Sequence, residues 1–294
     1  MSTPPACIPL LRAAVATALL LASCSMPETL PALEAGPAPG GPPLTTSTTT
    51  TTTAPPATSS TSTTIADPGY PLGEVVLTGP GPWETPPALR ERAITAADRL
   101  PPPTGDRFAA SITTVSAEVA ARSTWRPGCP VTLEEVRYLT VSFWGFDGAA
   151  HTGELIVHET VADDVVQVFA RLFEARFPIE EMRVIAAEEL DLPPTGDGNV
   201  TTGFVCRPVV GTTSTWSQHA YGLAVDVNPF QNPYRKGEVT LPELAGSYLD
   251  RDWVRPGMIF EGDAVTAAFA EIGWTWGGTW RTLTDLHHFS SNGR

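Results

Sequence analysis

Between Pro27 and about Pro68 the chain has too few apolar side chains to bury a core. Pro, Ala and Gly lead through Leu44 into a run of Thr and Ser from Thr45 to Thr53. Such a composition cannot offset the entropy lost on folding, and it stays extended. The stretch reads as a disordered tether over residues 25–79, which confines any folded core to residues 80–294. That remainder has the size of one domain.

Ahead of the tether, Arg12 is followed by an apolar run from Ala13 to Ala22, too short to span a bilayer. It closes on Leu21-Ala22-Ser23-Cys24, a small-residue cleavage pattern. Residues 1–24 therefore read as a signal peptide. A Cys directly after Leu-Ala-Ser resembles a bacterial lipobox, which implies that Cys24 becomes the lipidated first residue of the mature protein. The alternative is an ordinary secretory signal cut nearby, and either way the expectation is export. Cys7 and Cys24 fall in this leader, leaving Cys129 and Cys206 in the folded part. Two leftover Cys in an exported chain suggest one disulfide. A pair of zinc thiolates fits less well, because neither sits in a Cys-x-x-Cys spacing. The formal charge of −14 argues against nucleic acid or an anionic membrane surface as partners. Contact with the membrane is expected through the lipid anchor alone.

Along the folded part, Pro86 to Leu100 has the pattern of a short helix stopped by Pro101–Pro103. A weaker helix is expected over Ser116–Arg122. Val136–Trp144 is rich in β-formers, Asp147-Gly148 marks a turn, and Gly153–His158 reads as the returning strand. Asp163 or Asp164 can cap the next helix, whose apolar face carries Val165, Val166, Phe169, Leu172, Phe173 and Phe177. Strands are expected at Met182–Ile185, Phe204–Arg207, Leu223–Val227 and Trp274–Trp276. Between them lie a polar loop from Glu188 to Thr202 and an irregular, Pro-rich stretch from Gln231 to Pro256. Asp263 caps a helix over Ala264–Ile272, ended by Gly273. The sum is one α+β domain, a mostly antiparallel sheet with flanking helices.

The chemistry-bearing residues concentrate near the C-terminus. Trp216-Ser-Gln-His-Ala-Tyr-Gly-Leu-Ala-Val-Asp-Val-Asn-Pro229 places His219 and Asp226 around Gly222, which permits a turn that a β-carbon would resist. Trp276-Gly-Gly-Thr-Trp280 and Asp285-Leu-His-His288-Phe follow. A hydrolytic zinc site takes three ligands from His, Asp and Glu and leaves a position for water. His219, Asp226 and one of the tail His residues supply that set, and Asp285 is placed to act as general base. His151 and His158 read as structural residues of the hairpin, and Trp274, Trp276 and Trp280 as core before substrate platform.

The string Ser217-x-His219-x-x-Gly222-x-Ala224-x-Asp226, with Asp285-x-x-His288 behind it, resembles the zinc D-alanyl-D-alanine carboxypeptidase family. That family includes dipeptidases and L-alanyl-D-glutamate endopeptidases. Cys129-Pro130, Gly145-Phe146-Asp147 and Phe177-Pro178-Ile179-Glu180 extend the likeness upstream, to roughly residue 125. The resemblance implies the fold shared with the hedgehog signalling domain and one Zn2+ per chain, held by His219, Asp226 and His288. It implies Asp285 as base, where the family more often has Glu. His287 is a second departure, a rival ligand, but the three-residue offset from Asp285 favours His288. It also implies an upstream Arg for a substrate carboxylate: Arg207, aided by Ser217, with Arg183 as rival. The implied substrate is the peptidoglycan stem peptide, cut as a carboxypeptidase or as an endopeptidase. The shared hedgehog fold leaves open a zinc-containing wall-binding module without catalysis.

Overall fold

The computed structural model describes residues 69–293. The leader, Cys24 and most of the tether lie outside the described residues. Fourteen regular elements follow in order: β1 (Ala110–Thr114), α1 (Ala117–Ala121), β2 (Val136–Trp144), β3 (Ala150–His158), α2 (Ala162–Glu174), β4 (Glu181–Met182), β5 (Val200–Thr201), β6 (Ala224–Asp226), β7 (Tyr234–Lys236), β8 (Val239–Leu241), α3 (Ala264–Glu271), β9 (Thr275–Trp276), β10 (Thr284–Asp285) and β11 (His288–Ser290). Short 3-10 turns link them. The architecture is α+β, but the strands form four small sheets where one was expected. Three are three-stranded and antiparallel, ordered β1-β2-β3, β10-β7-β8 and β6-β11-β9, and the fourth is the parallel pair β4-β5.

The β2–β3 hairpin is the scaffold. Its strands are nine residues each and pair from Val136↔His158 to Trp144↔Ala150. One face, Leu139, Val141, Leu155 and Val157, packs on the apolar stripe of α2, Val165, Val168, Phe169 and Leu172. Val225 of β6, Phe289 of β11 and Phe269 of α3 complete the same cluster. Phe289 stacks on Phe269 with ring centroids 3.9 Å apart. Because side chains alternate along a strand, burying Val225 and Phe289 turns Asp226 and His288 to the opposite face.

Several expectations are corrected by tertiary contacts. The helix over Pro86–Leu100 shrinks to a 3-10 turn at Pro87–Leu89. Its middle is instead drawn into the core by Arg92, which donates two hydrogen bonds to Glu180 (2.6 and 2.8 Å) and one to the Asp197 carbonyl (2.7 Å). A buried ion pair of this kind overrides weak helix propensity. Phe204–Arg207 is not a strand, since its amides go to separate partners: Ile156 O, His219 O, Thr124 Oγ1 and Val205 O. Met182–Ile185 pairs only through Met182. Asp163 and Asp164 stand in the first turn of α2, where they meet the helix dipole, while Val161 occupies the cap. The stretch after Gln231 contains the β7–β8 hairpin and a 3-10 run at Glu243–Leu249. Tyr70, Leu72 and Leu77 pack around Leu89, Phe230 and Tyr248, so the packed body reaches back to Tyr70, ahead of residue 80. Asp263 does cap α3, accepting from the amides of Val265 and Thr266.

Cys129 and Cys206 form a disulfide across a separation of 77 residues. On the chain-entropy account a loop of that length stabilises by about 4 kcal/mol. It fixes the segment that carries Arg207.

His151 clasps the hairpin to the N-terminal segment. Its Nδ1 is 2.8 Å from Asp98 and its Nε2 is 3.1 Å from Asp147. Burial opposes its charged form, but Asp98 and Asp147 outweigh that and raise the imidazole above its ordinary 6.5. Burial likewise opposes ionisation of Asp147, yet the Ala149 amide and His151 hold it below its ordinary 3.8. A raised His stabilises the fold fully below its unfolded value, and that stabilisation fades as pH rises through the folded one. The clasp therefore works best between about pH 4 and 6.5. The melting-temperature loss caused by His151→Gln should be larger at pH 5.5 than at pH 8.5; an equal loss at both would show that the imidazolium contributes nothing.

Candidate metal centre

Two local devices bring the motif residues together. The first is a 3-10 turn at Gln218–Tyr221, begun by Ser217, whose Oγ accepts from the His219 amide. Gly222 ends it at φ 68°, and a β-carbon there would lie 2.5 Å from the backbone nitrogen of His158. Only Gly fits, as the sequence suggested, and the chain turns straight into β6. The second device is strand register. In the antiparallel pair β6–β11, Asp226 stands directly opposite His288. Facing side chains in such a pair are neighbours.

The result is a tight triangle. His219 Nε2 lies 3.1 Å from Asp226 Oδ1 and 3.1 Å from His288 Nδ1, and His288 Nδ1 lies 2.9 Å from Asp226 Oδ1. All three residues are buried. His219 Nδ1 is 2.6 Å from the Gly203 carbonyl, which can only accept, so the ring donates there and its Nε2 faces the triangle as an acceptor. A carboxylate oxygen and a second imidazole nitrogen converge on that lone pair. Tetrahedral zinc with N and O ligands at ~2.0–2.1 Å separates its ligand atoms by ~3.3 Å, close to the triangle's edges. Two His and one Asp, one ring oriented by a backbone carbonyl, are also the right donors and the right outer shell for zinc. The residues fit the metal that the resemblance implies.

Burial alone would raise the Asp226 carboxyl, but the charges of His219 and His287 hold it well below the usual carboxylate range. Burial opposes the charged form of His287 too, yet Asp285 and then Asp226 push it up to about 9.

Asp285 lies on β10, where it pairs with Tyr234 of β7. Its Oδ1 is 3.0 Å from His287 Nε2, and His287 Nδ1 donates to the Asn232 carbonyl (2.7 Å). His287 thus buttresses Asp285 from outside the triangle. Gly277 sets the approach of this strand. A β-carbon there would lie 2.6 Å from the Asp285 carbonyl oxygen and 2.9 Å from its Cβ.

The triangle and Asp285 open on a groove of about 1420 Å3, which Arg207, Ser217, Arg183, Tyr234 and Trp280 also line. The two candidate arginines differ. Arg183 is taken by Glu189 through two bonds (2.6 and 2.8 Å) and by Glu181 (2.9 Å). Among the described residues the Arg207 guanidinium bonds only the carbonyl of Pro208 (3.2 Å). Ser217 is committed as an acceptor to the His219 turn and keeps its hydroxyl proton to give. His158 bonds its neighbour Thr160 and, like His151, stands outside the triangle. Tyr234 and the oriented carbonyl of Gly203 were not singled out from the sequence. Neither carries a spacing signal, and both join the site through pairing with distant segments.

Residues 210–291 match the family model described as D-alanyl-D-alanine carboxypeptidase. No curated protein and no solved structure gives a significant match. The resemblance to the zinc D-alanyl-D-alanine carboxypeptidase family is thereby shown on the segment that holds His219, Asp226, Asp285 and His288. What that segment supports is a peptidoglycan-related peptidase. Arg207 and the disulfide fall upstream of the match.

Gly277→Ala should push Asp285 from its place while leaving the triangle intact. Metal content should be kept and hydrolysis lost by at least tenfold; a fully active Gly277→Ala protein would show that the close approach at Asp285 is unimportant.

Proposed function

We propose that this chain is a zinc-dependent peptidase of peptidoglycan stem peptides, most simply a D-alanyl-D-alanine carboxypeptidase. The observation that carries the reading is the buried triangle of His219, Asp226 and His288 with Asp285 on the same groove wall. His219, Asp226 and His288 would hold a zinc ion, which would supply Lewis acidity and lower the pKa of a water there. Asp285 takes the proton of the attacking water, whose oxygen bonds the amide carbon. The C–N bond breaks with its electron pair going to nitrogen, and Asp285 returns the proton to that leaving amine. His287 keeps the Asp285 carboxylate in place. Arg207, unclaimed by any carboxylate among the described residues, receives a substrate carboxylate through two parallel hydrogen bonds. Ser217 adds a donor beside it.

One observation favours an endopeptidase as second reading. The groove exceeds the ~300–1,000 Å3 of an ordinary small-molecule pocket, leaving room for peptide on both sides of the cut. The proposed address agrees with either. A chain exported by residues 1–24, anchored through Cys24 and carried on a tether that ends before Tyr70, would work at the outer face of the cytoplasmic membrane. The catalytic domain is then residues 80–294, preceded by the packed stretch from Tyr70.

The test is zinc content of the purified protein together with digestion of muropeptides ending in D-Ala-D-Ala. About one zinc per chain and release of D-Ala is the expected result. Cleavage at another stem bond would establish the endopeptidase, and zinc without cleavage would leave a binding module. Asp285→Asn should keep zinc and lose about 10²–10⁴-fold in kcat, whereas His219→Ala should lose the metal itself.

A further inference from the structure

Trp280 follows the 3-10 turn Gly277–Thr279, its amide bonded to the Gly277 carbonyl (3.2 Å). The ring lies on the groove wall, tilted 53° against His288 with centroids 5.4 Å apart. Its Nε1 is buried and has no acceptor among the described residues. Three other indole donors of the fold are satisfied by carbonyls: Trp125 by Val131 (3.0 Å), Trp144 by Phe173 (2.9 Å) and Trp276 by Leu286 (2.8 Å). An indole N–H donates only and cannot titrate, and leaving it unpaired inside a protein is unfavourable. Asp226 Oδ1 and the His219 and His288 nitrogens face one another. Asp285 Oδ1 lies 3.0 Å from His287 Nε2 but, like the indole, is buried without a hydrogen-bond partner among the described residues, and it makes no bond to Trp280.

We infer that Trp280 is a substrate-contacting residue whose Nε1–H donates to the carbonyl oxygen of the amide being cut. The inference rests on the peptidase reading above and adds a residue to it. When water adds to the amide carbon, the carbonyl oxygen gains negative charge. A fixed, neutral donor shielded from bulk water stabilises that charge without giving up a proton. The position suits this role, since the ring borders His288 and the triangle where the reacting amide must sit. The alternative of a purely structural indole leaves its donor unexplained, because packing against His288 requires the ring and not the N–H.

Trp280→Phe keeps an aromatic ring beside His288 and removes the donor. On D-Ala-D-Ala-ended muropeptides its kcat should fall about 10²–10³-fold, with KM within about threefold and zinc content and melting temperature unchanged. A kcat within about threefold of wild type, or a loss confined to KM, overturns the assignment. A second measurement decides the matter if the variant is destabilised. In zinc-loaded Asp285→Asn protein, the 15N-indole resonance of Trp280 should move downfield when the same muropeptides are added. A resonance that stays put under saturating muropeptide overturns the inference. Wild-type protein that cleaves no stem bond overturns the peptidase reading and this inference together. Cleavage by wild type with an unaffected Trp280→Phe overturns the inference alone.

Discussion

The pairing of β6 with β11 is the interaction on which the candidate site depends. The two strands are three residues each, yet their register sets Asp226 opposite His288 and Val225 opposite Phe289. One side of this short ladder is core and the other is site. A slip of one residue would send Asp226 and His288 into the cluster around Phe269 and bring Val225 and Phe289 out to the groove. The stacking of Phe289 on Phe269 therefore does more than fill space. It selects the register that makes the triangle of nitrogen and oxygen atoms possible.

The rest of the fold holds this ladder and the loops around it. The β2–β3 hairpin gives its backbone to the site twice, through Ile156 O to the Phe204 amide and through the His158 amide to Gly222 O. Those bonds position Gly203, whose carbonyl orients His219, and the turn that carries His219 itself. The disulfide ties the Arg207 segment to the Cys129 loop. Gly203, Arg207 and His219 thus meet at one groove, held by backbone hydrogen bonds to the hairpin and by the disulfide more than by regular structure of their own.

This explains what was legible in the sequence. The hairpin, α2 and α3 were readable because their patterns are local: a run of β-formers over Val136–Trp144, a helical apolar stripe from Val165 to Leu172, an Asp263 cap. The residues of the triangle were readable because chemistry restricts residue type, so that Ser-x-His-x-x-Gly-x-Ala-x-Asp stands out even within a short element. Phe204–Arg207 and Pro86–Leu100 misled because their backbone groups and charges answer to distant partners. Arg92 looks like a helical surface residue until Glu180 is placed beside it. The short strands β7, β8 and β10 gave no period long enough to read, and with them Tyr234 was passed over as part of an irregular stretch.

The two glycines of the site mark opposite uses of a missing side chain. Gly222 is required by its own backbone conformation and by the hairpin at its back. Gly277 has no such conformational need; it is required by Asp285, whose strand passes through the space a β-carbon would occupy. The motif Trp276-Gly277-Gly278-Thr279-Trp280 therefore acts as a spacer as much as a turn. It anchors one indole to the Leu286 carbonyl, lets Asp285 come close, and delivers the second indole to His288. Asp285, His288 and the Trp280 indole all meet around one short run of chain, which is why the final residues concentrate the candidate site while the long hairpin concentrates the core packing.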